Sequence, residues 1–166
     1  MDNFDDEIRS LATTVLERCR ALGWKAATAE SCTGGLIAGA LTEIAGSSDV
    51  VDRGFVTYSN EAKMQMLGVP AETLTAHGAV SEQTARAMAL GALANSDAGV
   101  SVAVTGVAGP GGGSAEKPVG LVHFAAATPT GIVADHRIFE GDRGAVRHQT
   151  VLHALKMMLS RTESAS

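Results

Sequence analysis

Two hydrophobic periods alternate along this chain, and glycine, proline or a small polar residue marks each change from one to the other. Ile8, Leu11, Val15, Cys19 and Leu22 recur at helical spacing, with Gly23 where a left-handed cap would end the helix. Residues 25–30 then read as a short strand, and Thr33-Gly34-Gly35 opens an apolar helical segment over 36–44. Residues 51–58, rich in β-branched and aromatic side chains, read as a second strand, with Ser59 or Asn60 capping a short helix that carries Lys63 and Met64. Pro70, Gly78 and the polar residues between them predict an irregular stretch. Ser81 then has the position of an N-cap for a helix faced by Ala85, Met88, Ala89, Ala92 and Leu93. Residues 99–104 are almost continuously apolar, as in a buried strand. Residues 119–127 and 132–139 are strand-like, and Thr128-Pro129-Thr130-Gly131 between them predicts an antiparallel hairpin. A last helix begins near Asp142 with Val151, Leu155, Met158 and Leu159 inward, and residues 162–166 are expected to form a disordered tail.

Strands alternating with helices, plus one hairpin, predict an α/β protein: a three-layer α/β/α sandwich with a mostly parallel mixed sheet. The 166 residues suit one domain spanning 1–166, with no repeat or linker to divide it. Aromatic residues are only 4% of the chain while apolar residues are 45%, so Ala, Val, Leu, Ile and Met must build the core. Such small side chains favour close packing of helix on sheet. A net charge of -5 argues against broad nucleic-acid binding, which needs basic surface to displace counterions from phosphates. Cys19 and Cys32 are too few for a disulfide framework and fit a reducing compartment. The acidic start Met1-Asp2-Asn3-Phe4-Asp5-Asp6-Glu7 is not a signal peptide, and no apolar run approaches the roughly 20 residues that a bilayer needs. A cytoplasmic protein without membrane contact is expected. Ala- and Met-rich helix faces would suit a homodimer.

Open α/β sheets bind ligands beyond the carboxyl ends of their strands, and three turns there carry unusual residues. In Thr28-Ala29-Glu30-Ser31-Cys32-Thr33-Gly34-Gly35 a hydroxyl leaves a strand just before a helix begins. Ser31 is a candidate nucleophile there, and the free N–H groups of the first helical turn, at residues 33–35, could hold an oxyanion. Glu30, Cys32, Thr33, Gly34 and Gly35 are candidate substrate contacts. The alternative is that Ser31 or Thr33 only caps the helix. Cys32 is a rival nucleophile, but it points the opposite way from Ser31 and reads as a buried small hydrophobe. In Phe55-Val56-Thr57-Tyr58-Ser59-Asn60-Glu61-Ala62-Lys63 a phenol at a strand end precedes an amine by about one helical turn. Desolvated among Met64, Met66 and Leu67, Lys63 would have a pKa low enough to serve as a base, with Tyr58 polarising or relaying. A solvated surface lysine is the competing reading.

The third turn, Val104-Thr105-Gly106-Val107-Ala108-Gly109-Pro110-Gly111-Gly112-Gly113-Ser114, is no Walker loop, because no Gly-Lys-Ser/Thr follows. Its backbone N–H groups, with Gly106 and Gly109, could wrap a ligand while Thr105 hydrogen-bonds it; a plain surface loop is the competitor. Arg143 and Arg147, four apart at the start of the last helix, make a candidate phosphate clamp or a pair of surface ion pairs. The five histidines show no metal-ligand spacing, so neither a metal nor a cofactor is expected.

Together, the turns at residues 28–35, 54–63 and 105–110, with Gly78-Ala79-Val80-Ser81 and Gly141-Asp142-Arg143, closely resemble the CinA C-terminal domain family in order and spacing over nearly the whole chain. That family includes nicotinamide-nucleotide amidohydrolases. The resemblance implies conversion of nicotinamide mononucleotide and water to nicotinate mononucleotide and ammonia, a step of pyridine-nucleotide salvage. It also implies a three-layer α/β/α fold, a serine nucleophile at Ser31, a lysine base at Lys63, Tyr58 close by and Thr105 at the ligand site. Many relatives carry a further N-terminal domain with metal-dependent pyrophosphatase activity, and any metal dependence linked to that domain is not expected here. A non-catalytic nucleotide-binding or protein-interaction module, or an amidase for another small carboxamide, are the alternatives the residues leave open.

Overall fold

The computed structural model describes residues 4–165, so the first three residues of the acidic start and Ser166 of the expected tail lie outside it. The order of elements is α1 (Asp6–Leu22), β1 (Lys25–Glu30), α2 (Leu36–Thr42), β2 (Val51–Val56), α3 (Asn60–Leu67), α4 (Ala71–His77), α5 (Glu82–Ala94), β3 (Ala98–Gly106), β4 (Leu121–Thr128), β5 (Gly131–Ile138) and α6 (Arg143–Ser164). The caps follow local chemistry. Gly23 ends α1 at φ 68, while Ser59, Ser81 and Asp142 accept the N–H of Ala62, Thr84 and Ala145 at the starts of α3, α5 and α6.

The five strands form one sheet in the order β2-β1-β3-β4-β5. β1 pairs in parallel with both β2 and β3, and β4 is antiparallel to β3 and to β5. Four of the five strands therefore run the same way, with β4 reversed by the hairpin, as the alternation of periods predicted. Helices α1, α2 and α6 cover one face, where Ile8, Leu16, Ile37 and Leu41 meet Val102, Phe124, Leu155 and Met158. On the other face Ala85, Met88, Ala89 and Ala92 of α5 pack on Ala29, Ala103, Ala125 and Ala127. Burying each of the larger side chains contributes about 1.5–3 kcal/mol, and the alanine-on-alanine face gains from close approach instead. Gly91 shows how close: a Cβ there would sit 2.0 Å from the carbonyl oxygen of Leu67. Its absence lets the end of α3 rest on α5, which fixes the helix that carries Lys63.

Two expectations are corrected. The stretch between Pro70 and Gly78 is helical, because proline tolerates a helix start and Pro70 is the N-cap of α4; none of the helix's residues is buried, so it has no apolar stripe to read. The tail is ordered as far as α6 reaches: Thr162 is fully buried and its hydroxyl donates to Leu159 O at 2.7 Å. Met88 of α5 and Met158 of α6 are fully buried in the two layers of the core.

Candidate active site

Parallel pairing brings three strand ends level. Glu30 lies opposite Val56 of β2 and Val104 of β3, so the next residues, Ser31, Thr57 and Thr105, form a row across the sheet. Main-chain bonds hold that row: Ser31 N–H donates to Val104 O and Thr57 N–H to Glu30 O. Side chains alternate along a strand. Ala29 belongs to the α5 face, so Ser31 leaves β1 on that side, whereas Glu30 turns toward α2.

Lys63, one turn into α3, is only 1% exposed. Its Nζ lies 3.1 Å from Ser31 Oγ, 2.9 Å from Thr57 O and 3.2 Å from Tyr58 O. No carboxylate among the described residues comes within ion-pair distance, and burial lowers the amine's pKa below the usual lysine range. All three polar neighbours of Nζ are oxygens to which it can donate, the Ser31 hydroxyl and the two carbonyls.

The turn after Ser31 is held from two sides. Both oxygens of buried Glu30 are occupied: Oε1 accepts from Thr33 Oγ1 at 2.6 Å and Ile37 N at 2.8 Å, and Oε2 accepts from Ala38 N at 3.0 Å. Glu30, expected from sequence as a substrate contact, thus caps the start of α2 and is not among the residues that line the cavity beside Ser31. Thr33 is likewise buried behind the turn. Gly34 and Gly35 supply the left-handed turn, at φ 57 and 107, that no other residue adopts without strain. Arg147 reaches the turn from α6, donating from Nε to Cys32 O at 3.1 Å and from Nη2 to Thr33 O at 3.2 Å. It lies outside the cavity lining, which Arg143 alone of the two reaches.

A cavity of about 210 Å³ opens on the pair, lined by Ser31, Cys32, Tyr58, Lys63, Thr105 and Arg143 among others. Cys32 reaches the cavity, but burial pushes its thiol up to about 11, which leaves it protonated and a poor nucleophile at neutral pH. Tyr58 is 63% exposed at the rim; its phenol accepts from Arg143 Nη2 at 3.3 Å, while Nη1 donates to Gly109 O at 2.8 Å. Direct contact between Ser31 and Lys63 leaves no gap for a phenol relay. Gly106 lines the cavity; Gly109 serves it only through Arg143. An adjoining cavity of about 440 Å³ shares Ala108 and Arg143 with the first and is otherwise lined by Pro110, Val119, Gly141, Asp142 and Gly144. Sequence reasoning missed Ala79 and Val80 as lining residues, although Gly78-Ala79-Val80-Ser81 stood out as a motif. Hydroxyls fix this segment: Thr105 donates to Ala79 O at 2.8 Å, and Ser81 and Thr84 both donate to Gly78 O. Among the described residues no group of three or more His, Cys, Asp or Glu side chains could hold a metal ion, and no helix is long and apolar enough to cross a membrane.

Fold and site define a mixed-sheet α/β protein with a buried serine–lysine pair at its strand ends. The chain belongs to the CinA family, matching its C-terminal domain over residues 8–162. It is 52% identical over 155 residues to the nicotinamide-nucleotide amidohydrolase PncC of Escherichia coli K12, covering 93% of this chain and 94% of that protein. A CinA-like protein of Anaeromyxobacter dehalogenans is 51% identical over 92% of this chain, which spans 37% of that longer protein. The crystal structure of the competence/damage inducible protein CihA from Agrobacterium tumefaciens superposes with a TM-score of 0.94 at 57% identity, covering 96% of this chain and 98% of that one.

Proposed function

We infer that this chain is a nicotinamide-nucleotide amidohydrolase of pyridine-nucleotide salvage, hydrolysing nicotinamide mononucleotide to nicotinate mononucleotide and ammonia. Similarity to the E. coli amidohydrolase over nearly the full length supports the activity. The observation that carries the mechanism is the 3.1 Å contact between the Ser31 hydroxyl and a buried lysine with no acidic partner among the described residues. Neutral Lys63 takes the Ser31 proton as Oγ bonds to the amide carbon, and the Thr33 and Gly35 amides hold the oxyanion, that of Gly34 being engaged by Ser31 O. Collapse of this intermediate breaks the C–N bond, and the Lys63 ammonium returns its proton to the departing ammonia. Water then attacks the acyl carbon, Lys63 removes its proton, and that proton restores the Ser31 hydroxyl as the acid leaves.

The substrate favours the same protonation state. A nicotinamide nucleotide carries a positive pyridinium ring, which disfavours a second positive charge on Lys63 and draws electron density from the carboxamide. The smaller cavity suits the ring and its amide, the adjoining one the ribose and phosphate, with the guanidinium of Arg143 between them to bind the phosphate. Thr105 and Gly106 line the ring side. Two unpaired, buried cysteines fit the reducing cytoplasm, where such a substrate is found. The test is ammonia release from nicotinamide mononucleotide in the presence of a chelator, with Ser31→Ala as control. Turnover in the wild type and loss by orders of magnitude in the folded variant is the expected result; unchanged turnover in Ser31→Ala removes the nucleophile.

A further inference from the structure

We propose that Arg147 is a positioning residue for the nucleophile: through the carbonyls of Cys32 and Thr33 it sets the direction of the peptide groups that follow Ser31. The proposal rests on Ser31 being the nucleophile, and it gives Arg147 a role apart from substrate binding. Arg143 and Arg147 are separated by a single turn of α6, yet they do different things. Arg143 borders both cavities, whereas Arg147 lines neither and instead lies in a groove with Phe4, Ile8, Leu36 and Val151.

Its two bonds are made to consecutive peptide groups. The peptide joining Thr33 to Gly34 is held at both ends, by Arg147 on its carbonyl and by Ser31 O, which accepts the Gly34 N–H at 3.1 Å. A single peptide group therefore links the guanidinium to the main chain of the nucleophile. Ser31's own N–H is fixed on Val104 O, so its backbone is gripped on both sides. The peptide joining Cys32 to Thr33 is held on its carbonyl side alone. A trans peptide points its N–H opposite to its C=O, so this bond aims the Thr33 amide away from Arg147. A cation on the carbonyl also polarises that amide and strengthens it as a donor. Such a donor can be spent on an oxyanion. Lysine does not copy this arrangement, because the two bonds come from separate nitrogens, Nε and Nη2, of one planar group, whereas an ammonium donates from a single nitrogen at the end of its stem.

The experiment compares wild type with Arg147→Met and Arg147→Lys on nicotinamide mononucleotide and on its unphosphorylated riboside, with Tm measured alongside. A second readout is the rate at which a fluorophosphonate labels Ser31, with Ser31→Ala as blank. We expect kcat to fall about 100-fold on both substrates with little change in KM, labelling to slow in step, and millimolar guanidinium to restore part of both in Arg147→Met. Should Arg147→Met fail to fold, Arg147→Lys, which keeps the charge and most of the stem, carries the same comparison. A rise in KM confined to the phosphorylated substrate, with kcat and labelling intact, would overturn the proposal in favour of a phosphate ligand. Unchanged kcat and labelling would overturn it outright. If the wild type releases no ammonia from either amide but labelling still slows in the variants, the amidohydrolase reading fails and the positioning role stands.

Discussion

Replacing Lys63 with methionine distinguishes an uncharged amine from a buried ammonium. Methionine fills much of the same volume with neither charge nor donor. Thr57 O and Tyr58 O then lose a donor now 2.9 and 3.2 Å away, and an unsatisfied buried acceptor costs about 1–3 kcal/mol. Tyr58 sits at the exposed rim, where water replaces the lost donor, so the net cost at alkaline pH is about 1–3 kcal/mol, from Thr57 alone. The sign of the pH dependence follows from burial, which lowers the Lys63 pKa in the folded protein. Between that value and the ordinary lysine pKa, the unfolded chain binds one more proton than the native one. Native stability therefore rises with pH across the window, by about 1.4 kcal/mol per unit, and is lost as pH falls. Lys63→Met lacks this dependence, so the two stability curves approach each other as the solution is acidified and become parallel only below the folded pKa. Urea melts from about pH 6 to about pH 10 follow the difference, and ammonia release by the wild type should decline toward acid with the same midpoint. The variant should lose about 10²–10⁴-fold in turnover at every pH. Curves that stay parallel across the whole range would show an amine charged in both states, and Lys63 could not then be the base.

Cys32→Ala should keep turnover within a few-fold, measured by ammonia release, because a thiol held near 11 contributes no thiolate at neutral pH. Glu30→Gln should lower stability by about 1–3 kcal/mol in urea melts, since an amide group must turn one N–H₂ end toward donors that the carboxylate now accepts from Thr33, Ile37 and Ala38. Arg143→Ala should raise KM for nicotinamide mononucleotide at least about 10-fold, the loss of a charge-assisted phosphate contact, and leave KM for the riboside nearly unchanged.

Local chemistry is why so much of this chain is legible before folding. Gly23, Ser59, Ser81 and Asp142 each act within three or four residues of themselves, so their caps can be read directly. The Ser31 and Lys63 turns stand out for the same reason, as polar residues leaving apolar strands. What escaped depends on contacts distant in sequence. Glu30 reads as a substrate contact beside Ser31 until α2 is seen to fold back over its carboxylate. Arg147 reads as the twin of Arg143 because helical spacing puts them on one face, and nothing local reveals that its partners are the carbonyls of Cys32 and Thr33. Helix α4 was hidden for a different reason: a short exposed helix leaves no periodic apolar stripe.

Strand alternation explains why this site needs a carboxylate next to its nucleophile yet keeps the two apart. Glu30 and Ser31 are consecutive, and consecutive side chains at a strand end face opposite sides of the sheet. The hydroxyl meets Lys63 on the α5 side, while the carboxylate is spent on the N-terminus of α2 and on Thr33. Had the register of β1 slipped by one residue, the carboxylate would face Lys63 instead. An opposite charge at that distance favours the ammonium and would remove the lone pair on which the proposed mechanism depends. The pairing of Glu30 with Val56 and Val104 fixes the register, so parallel neighbours on both sides of β1 keep a carboxylate away from a buried lysine carried by a different helix.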